Sequence, residues 1–378
     1  MHDFVLKEIV TDDLEKELSS VGFDKSYIKK ARGKFVYKNI KIFDLTPAQA
    51  NILKQTALSV GADCATHRET ITAKVEKTDC ILGGSLSQIE KIAGKLACQP
   101  FGLKKLGEML LQMHEKDLDG CKIVGILNLT TNSSSDGGEF YEFDKAIEHL
   151  NEMINDGADV VDIGAESTKP YSEPVSAAEQ LAKLVPLLEY IKENDIKIPV
   201  SIDTRSSAVA RKCLELGADI INDVSGFDYD EKMPEVIAEF NAKVIIQHSK
   251  GTPQNMQDKP VYENLTDEIY LGLKNKIDIA LSKGIKRENI IIDPGIGFGK
   301  TREDNFEIIR RIEELYGLGC PVMLGISRKS LLNMPDEDNF TKDIFTLALN
   351  AVAINKKVDY IRVHNVKLHR KFLDIFNT

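Results

Sequence analysis

From residue 121 onward, short runs of Ile, Val and Leu alternate with longer segments whose apolar residues recur at helical spacing. The runs predict strands at 122–128, 159–165, 199–204, 220–225, 243–248, 290–295, 321–327 and 360–365. The amphipathic segments predict helices near 143–155, 177–193, 206–216, 231–240, 263–283, 302–315, 341–355 and 367–376. Near-continuous apolar strands suit a parallel sheet buried on both faces. Eight strands, each followed by a helix, fit a (β/α)8 TIM barrel better than an open doubly wound sheet.

Residues 1–118 are patterned differently. Helices are predicted near 11–19, 25–31, 47–61, 86–97 and 102–115, and strands near 34–43, 70–74 and 78–83. Thr46 and Ser85 are placed as helix N-caps. This is an additional small N-terminal α/β domain with no chemical constellation to assign its role. The polar stretch from Glu115 to Gly120 is the boundary, leaving 119–378 as the barrel.

The apolar runs of the barrel end in polar residues: Asn128, Asp203, Asn222 with Asp223, Asp293, and Arg362 with His364. In a β/α barrel such strand ends share one rim, where active sites are built. Asp203, Asn222, Asp293 and Lys329 suit a flat heterocycle rich in N–H groups, such as a pterin or a guanine-like ring. Arg362, His364 and Asn128 suit a phosphate, and the Asn128 carbonyl is a candidate oxygen ligand for Mg²⁺. One carboxylate alone could cap a helix or pair with a lysine; the whole set on one rim points to a ligand site.

Composition narrows the classes. Apolar residues make up 42% of the 378, enough for a sizeable core. A net charge of −10 speaks against a nucleic-acid partner. The six cysteines form no Cys-x-x-Cys pair, as in reduced intracellular proteins, and Cys64, His67, Cys80 and Cys98 are too irregularly spaced for a zinc site. The N-terminal residues do not resemble a secretory signal, and no apolar stretch reaches the length of a membrane span. The expectation is a cytoplasmic enzyme without membrane contact. Gly295–Thr301 looks superficially like a phosphate loop, but Pro294 stands where its first glycine belongs.

Nine segments in order carry a family resemblance. They are Gly125-Ile-Leu-Asn128, Ser135-Asp-Gly-Gly138, Glu166-Ser-Thr-Lys-Pro170, Ser201-Ile-Asp-Thr204, Ile221-Asn-Asp223, Gly251-Thr-Pro253, Asp293-Pro-Gly-Ile-Gly-Phe-Gly-Lys300, Ser327-Arg-Lys-Ser330 and Arg362-Val-His364. Together they resemble dihydropteroate synthase, over about 120–378. The resemblance implies condensation of 6-hydroxymethyl-7,8-dihydropterin pyrophosphate with p-aminobenzoate in folate biosynthesis. It implies that Asp203, Asn222, Asp293 and Lys329 hold the pterin. Asn128, Arg362 and His364 would hold the pyrophosphate, with Mg²⁺ at Asn128. Thr168, Lys169 and Ser330 would line the p-aminobenzoate path. Asp136, Lys329, Arg362 and His364 are the candidate catalytic residues, Asp136 to stabilise a pterin methylene cation or close the site. A homodimer through the last barrel helices and sensitivity to sulfonamides are also implied. A corrinoid methyltransferase shares the barrel but would lack the Ser327–Ser330 and Arg362–His364 segments.

The first barrel loop departs from the family pattern. Thr131 stands for a turn proline, Asn132 for a carboxylate and Ser134 for an aromatic, whose loss removes about 1–3 kcal/mol of apolar contact. Lys169 replaces an arginine and loses its planar fork. The alternative is therefore a pterin-binding paralogue with weak or no condensation activity.

Overall fold

The computed structural model describes residues 5–11, 13–113, 120–129, 138–166, 174–251, 260–332, 334 and 336–376, with the side chains of 138–142 and 330 outside that description. Two compact units result, Met1–Glu115 and Lys116–Thr378.

The first unit runs α1 (Leu14–Ser20), α2 (Ile28–Arg32), β1 (Tyr37–Leu45), α3 (Pro47–Leu58), β2 (Asp63–Ala65), β3 (Thr78–Ser85), α4 (Leu86–Leu96) and α5 (Leu103–Leu111). Its sheet is antiparallel, ordered β1-β3-β2. Alternation along β3 buries Cys80 and Leu82, which join Leu53, Cys64, Ile92 and Leu96 in a core of its own. Thr46 and Ser85 are N-caps as expected, each closing a reciprocal capping box with Gln49 or Gln88. The strand expected at 70–74 is a turn. Its β-branched residues suggested extension, yet the Ala73 N–H donates back to the Thr70 carbonyl at 3.2 Å and Ile71 is exposed. The edge of β3 is taken instead by Asp63–Ala65, which buries Cys64.

The second unit alternates strand and helix throughout: β4 (Lys122–Asn128), α6 (Gly138–Asn155), β5 (Val160–Gly164), α7 (Ala177–Glu193), β6 (Val200–Asp203), α8 (Ser207–Glu215), β7 (Ile220–Asp223), α9 (Met233–Phe240), β8 (Lys243–Gln247), α10 (Leu265–Ser282), β9 (Ile290–Asp293), α11 (Arg302–Arg310), β10 (Met323–Leu324), α12 (Asn339–Asn355), β11 (Tyr360–Val363) and α13 (Val366–Phe376). The strands are parallel and ordered β10-β11-β4-β5-β6-β7-β8-β9. The circle closes between β9 and β10 through one bridge, Ile292 opposite Val322, beside the Ile292 N–H bond to the Pro321 carbonyl at 2.9 Å. This is the expected TIM barrel. One helix is shorter than expected: α11 ends at Arg310, and a 3-10 helix covers Ile312–Leu318. Its buried residues, Ile312, Leu315 and Leu318, are spaced by three, which a 3-10 helix aligns on one face.

The barrel interior is layered. Val124, Val160, Ile220, Ile245, Ile291 and Met323, with Tyr360 against them, form an apolar plug. Side chains two residues further along a strand return to the same face. From that plug the rule leads to Ile126, Asp162, Asn222, Gln247, Asp293, Gly325 and Arg362.

Candidate active site

The polar layer sits directly above the plug and is organised around Arg362. Its Nε donates to Asp162 Oδ2 at 2.6 Å and its Nη2 to Asp203 Oδ2 at 2.8 Å. Asn222 Nδ2 donates to the same Asp162 oxygen at 3.2 Å. Asp162, Asp203, Asn222 and Asp293 are all buried. On β9, Asp293 Oδ1 accepts the Gly295 N–H at 2.7 Å, which turns its second oxygen elsewhere.

Two glycines mark where these groups converge. A Cβ placed on Gly325 would lie 3.8 Å from Lys329 Nζ and 3.9 Å from both Arg362 Cβ and Asp293 Oδ2. A Cβ on Gly164 would lie 3.4 Å from Asp203 Cβ and 3.6 Å from Asn128 Oδ1. The structure thus brings Lys329, Arg362 and Asp293 around one position, and Asp203 and Asn128 around another. Lys329 Nζ donates to the Ile296 carbonyl at 2.6 Å and lies 4.7 Å from the centre of the Phe298 ring.

Burial shapes the protonation of this layer. It raises Asp203 to about 7, against the attraction of Arg362, with Asp162 and Glu166 adding to the rise. It raises Asp293 as well, opposed by Lys329. Lys329 is lowered to about 8 by burial, with Asp293 resisting. Burial works against the charge on Arg362, but Asp162 and then Asp203 hold its pKa above the ordinary value.

His364 stands apart from that cluster and pairs with Ser327. Ser327 Oγ lies 2.8 Å from His364 Nδ1 and accepts the His364 backbone N–H at 3.2 Å. Burial, then the positive charges of Arg328 and Arg362, lower the imidazole to about 3. Asn128 is exposed at the tip of β4.

Ser330 opens the 3-10 helix Ser330–Leu332; Asp136, Thr168 and Lys169 lie outside the described residues. Glu166, just before the segment carrying Thr168 and Lys169, is buried and paired with Arg205, Oε1 to Nη2 at 2.5 Å. Lys300, the lysine of the loop that mimics a phosphate loop, turns inward. Its Nζ lies 3.1 Å from His248 Nδ1 and 3.0 Å from the Phe298 carbonyl. Burial lowers it to about 7, and the lysine serves as a strut between two loops. Asp162, Ser327 and the two glycines were not singled out from the sequence. A carboxylate inside the otherwise apolar Val160-Val161-Asp162-Ile163 was the available signal for the first.

Comparison with known proteins agrees with this geometry. The model of the family described as pterin binding enzyme matches residues 124–364. A dihydropteroate synthase from Clostridium beijerinckii is 45% identical over 249 residues, covering 65% of this chain and 88% of that protein. A probable bifunctional folylpolyglutamate synthase/dihydropteroate synthase from Haloferax volcanii is 35% identical over 343 residues. That match covers 84% of this chain and so runs into the N-terminal unit, while the chain spans 40% of that relative's length. The crystal structure of a Clostridium difficile dihydropteroate synthase, solved in the presence of pteroic acid, superposes with a TM-score of 0.63 at 37% identity. It covers 69% of this chain and 99% of that one. The chain belongs to the pterin binding enzyme family, among its dihydropteroate synthases.

Proposed function

We propose that the barrel joins 6-hydroxymethyl-7,8-dihydropterin pyrophosphate to p-aminobenzoate, giving dihydropteroate and pyrophosphate. One observation carries the pterin half. Asp162 Oδ1 and Asn222 Oδ1 are buried acceptors with no protein donor among the described residues. Buried acceptors left unpaired are costly, and a heterocycle with several N–H groups would satisfy them. Asp162, Asp203, Asn222 and Asp293 would accept from the pterin edge, and Lys329 would donate to a ring acceptor.

The pyrophosphate would lie toward His364 and Asn128. Two of the Arg362 nitrogens are held by carboxylates, so Nη1 would be the one left for a phosphate oxygen. Among the described residues, no three His, Cys, Asp or Glu side chains group together to hold a metal. Mg²⁺ would therefore take Asn128 Oδ1 and substrate oxygens, a sparse ligand set that this hard cation accepts. When bound it would neutralise charge on the leaving group.

The residues then act by position and charge. The bond from the pterin methylene to the pyrophosphate oxygen breaks, and its electron pair leaves with pyrophosphate. Arg362, His364 and Asn128 would stabilise that departing charge. The neutral amine of p-aminobenzoate forms the new C–N bond and releases one proton to solvent. It needs orientation more than activation, which Thr168, Lys169 and Ser330 would supply. Asp136 would stabilise the methylene cation or close the site.

Identity of 45% to a curated synthase supports this reading over a paralogue without condensation activity. Inhibition by sulfonamides, which mimic p-aminobenzoate, belongs to the same proposal. So does a homodimer through α12, whose Phe340, Ile344, Phe345 and Val352 are exposed. No helix among the described residues is long and apolar enough to cross a membrane, in keeping with a cytoplasmic site of action. Mass spectrometry of the product formed from both substrates and Mg²⁺ tests the reading. Dihydropteroate is the expected mass; unconverted pterin pyrophosphate would overturn the reading.

A further inference from the structure

The contact between Ser327 and His364 has only one satisfactory hydrogen arrangement. A serine hydroxyl has one hydrogen and two acceptor sites, and a backbone N–H can only donate. The His364 N–H already donates to Ser327 Oγ at 3.2 Å. If Nδ1 also carried a hydrogen, it too would donate to Oγ, across 2.8 Å. Ser327 is buried and its Oγ contacts only His364 Nδ1 and the His364 N–H among the described residues, so the hydroxyl hydrogen would then have no acceptor there. If instead the hydroxyl donates to Nδ1, the hydroxyl, Nδ1 and the His364 backbone N–H are all satisfied. Nδ1 is then the lone-pair nitrogen, and the ring hydrogen sits on Nε2.

We propose that Ser327 is a positioning residue that fixes His364 as the neutral tautomer protonated at Nε2. The imidazole then meets the leaving pyrophosphate as a hydrogen-bond donor and keeps its proton. This rests on the reading above that His364 faces that group.

The surroundings hold the pair in place. Arg328 adopts φ +56, a left-handed conformation unusual for a side chain of its size. It is kept there by Asp343 of α12, whose two oxygens accept from Arg328 Nε at 2.7 Å and Nη2 at 2.8 Å. The Arg328 N–H also reaches Thr346 Oγ1 at 3.3 Å. Asp343 Oδ2 accepts in addition from Asn365 Nδ2 at 3.2 Å. One carboxylate therefore ties the residue after Ser327 to the residue after His364. The charged and titratable groups acting on His364 are Arg328, Arg362, Asp343 and His149. Two of these are cationic, which also favours a neutral ring.

Long-range ¹⁵N–¹H spectra of histidine-labelled full-length protein test this directly, with His364 assigned by His364→Gln. The expected pattern is a pyrrole-like Nε2 and an imine-like Nδ1, unchanged between pH 6 and 8. A proton on Nδ1, or on both nitrogens, would overturn the proposal. Ser327→Ala should mix the tautomers and raise the KM for pterin pyrophosphate about tenfold, roughly one hydrogen bond's worth, with the KM for p-aminobenzoate unchanged. Ser327→Thr keeps the hydroxyl and should restore both readouts. A His364 spectrum unaltered by Ser327→Ala would also refute the assignment. Should Ser327→Ala unfold, the wild-type and Ser327→Thr spectra still decide. The spectrum needs no turnover, so loss of the synthase reading and loss of this one are told apart.

Discussion

Within β5, Val160 belongs to the apolar plug while Asp162, two residues on, holds Arg362. The same step separates Ile220 from Asn222 on β7, Ile291 from Asp293 on β9, and Tyr360 from Arg362 on β11. The lower layer stabilises by burying apolar surface, about 1.5–3 kcal/mol for each large side chain. The upper layer places Asp293 and Arg362 on the same strands, with Asp203 arriving from β6 and Lys329 from the loop after β10, and burial works against the charge of all four. The lower layer can therefore be read as support for the upper. One interior supplies rigidity at one end and unsatisfied polar groups at the other.

The comparison breaks most sharply at Arg362. Replacing it by Met removes the partner of Asp162 and Asp203 and leaves two buried carboxylates facing each other. We expect kcat/KM to fall roughly a thousandfold or more. Steady-state kinetics beside a thermal melt would show whether the layer, rather than the fold, has failed.

Ile220→Ala probes the other end. It should cost about 2–4 kcal/mol of stability in denaturant titration, while KM for both substrates stays within about twofold. A large change in KM would mean that the layers are not separable.

Gly325→Ala sharpens the boundary. The new methyl would meet Lys329, Arg362 and Asp293 at ordinary contact distances, so folding should survive. It would occupy the space these groups leave for a ring. Pterin affinity by calorimetry is expected to drop about tenfold, with little change in the melting temperature.

The smallest expected effect is that of pH. Burial pushes the Asp203 carboxyl up to about 7, with Arg362 opposing the rise. As pH falls through that value the carboxylate gains a proton and loses an acceptor for the pterin N–H. Pterin binding should therefore weaken severalfold from pH 8 to pH 6. Asp203→Asn should flatten that dependence; an unchanged slope would assign it to another group.

Much of this site was legible because the polar residues end apolar runs. Asp203, Asn222, Asp293 and Arg362 each break an Ile- or Val-rich strand at its tip, and the barrel rule gathers such tips. Asp162 was harder to read because it sits within its strand, where the layer spacing is not yet known. Ser327 was overshadowed by the lysine two residues on, since a hydroxyl that acts through another side chain leaves no pattern in sequence. The turn at 70–73 was misread because Thr and Ile favour extension, whereas the choice of edge strand depends on which segment can bury a residue such as Cys64. Arg362 was expected with the pyrophosphate group. The structure ties it first to Asp162 and Asp203, a link between strands that no local pattern encodes.

The most direct test of the account is pyrophosphate release by the purified chain. The assay would contain Mg²⁺ and 6-hydroxymethyl-7,8-dihydropterin pyrophosphate, with and without p-aminobenzoate. Release that depends on p-aminobenzoate and disappears in Arg362→Met is the expected result. Tight pterin binding with no p-aminobenzoate-dependent release would contradict it and leave the polar layer as a binding site without the condensation.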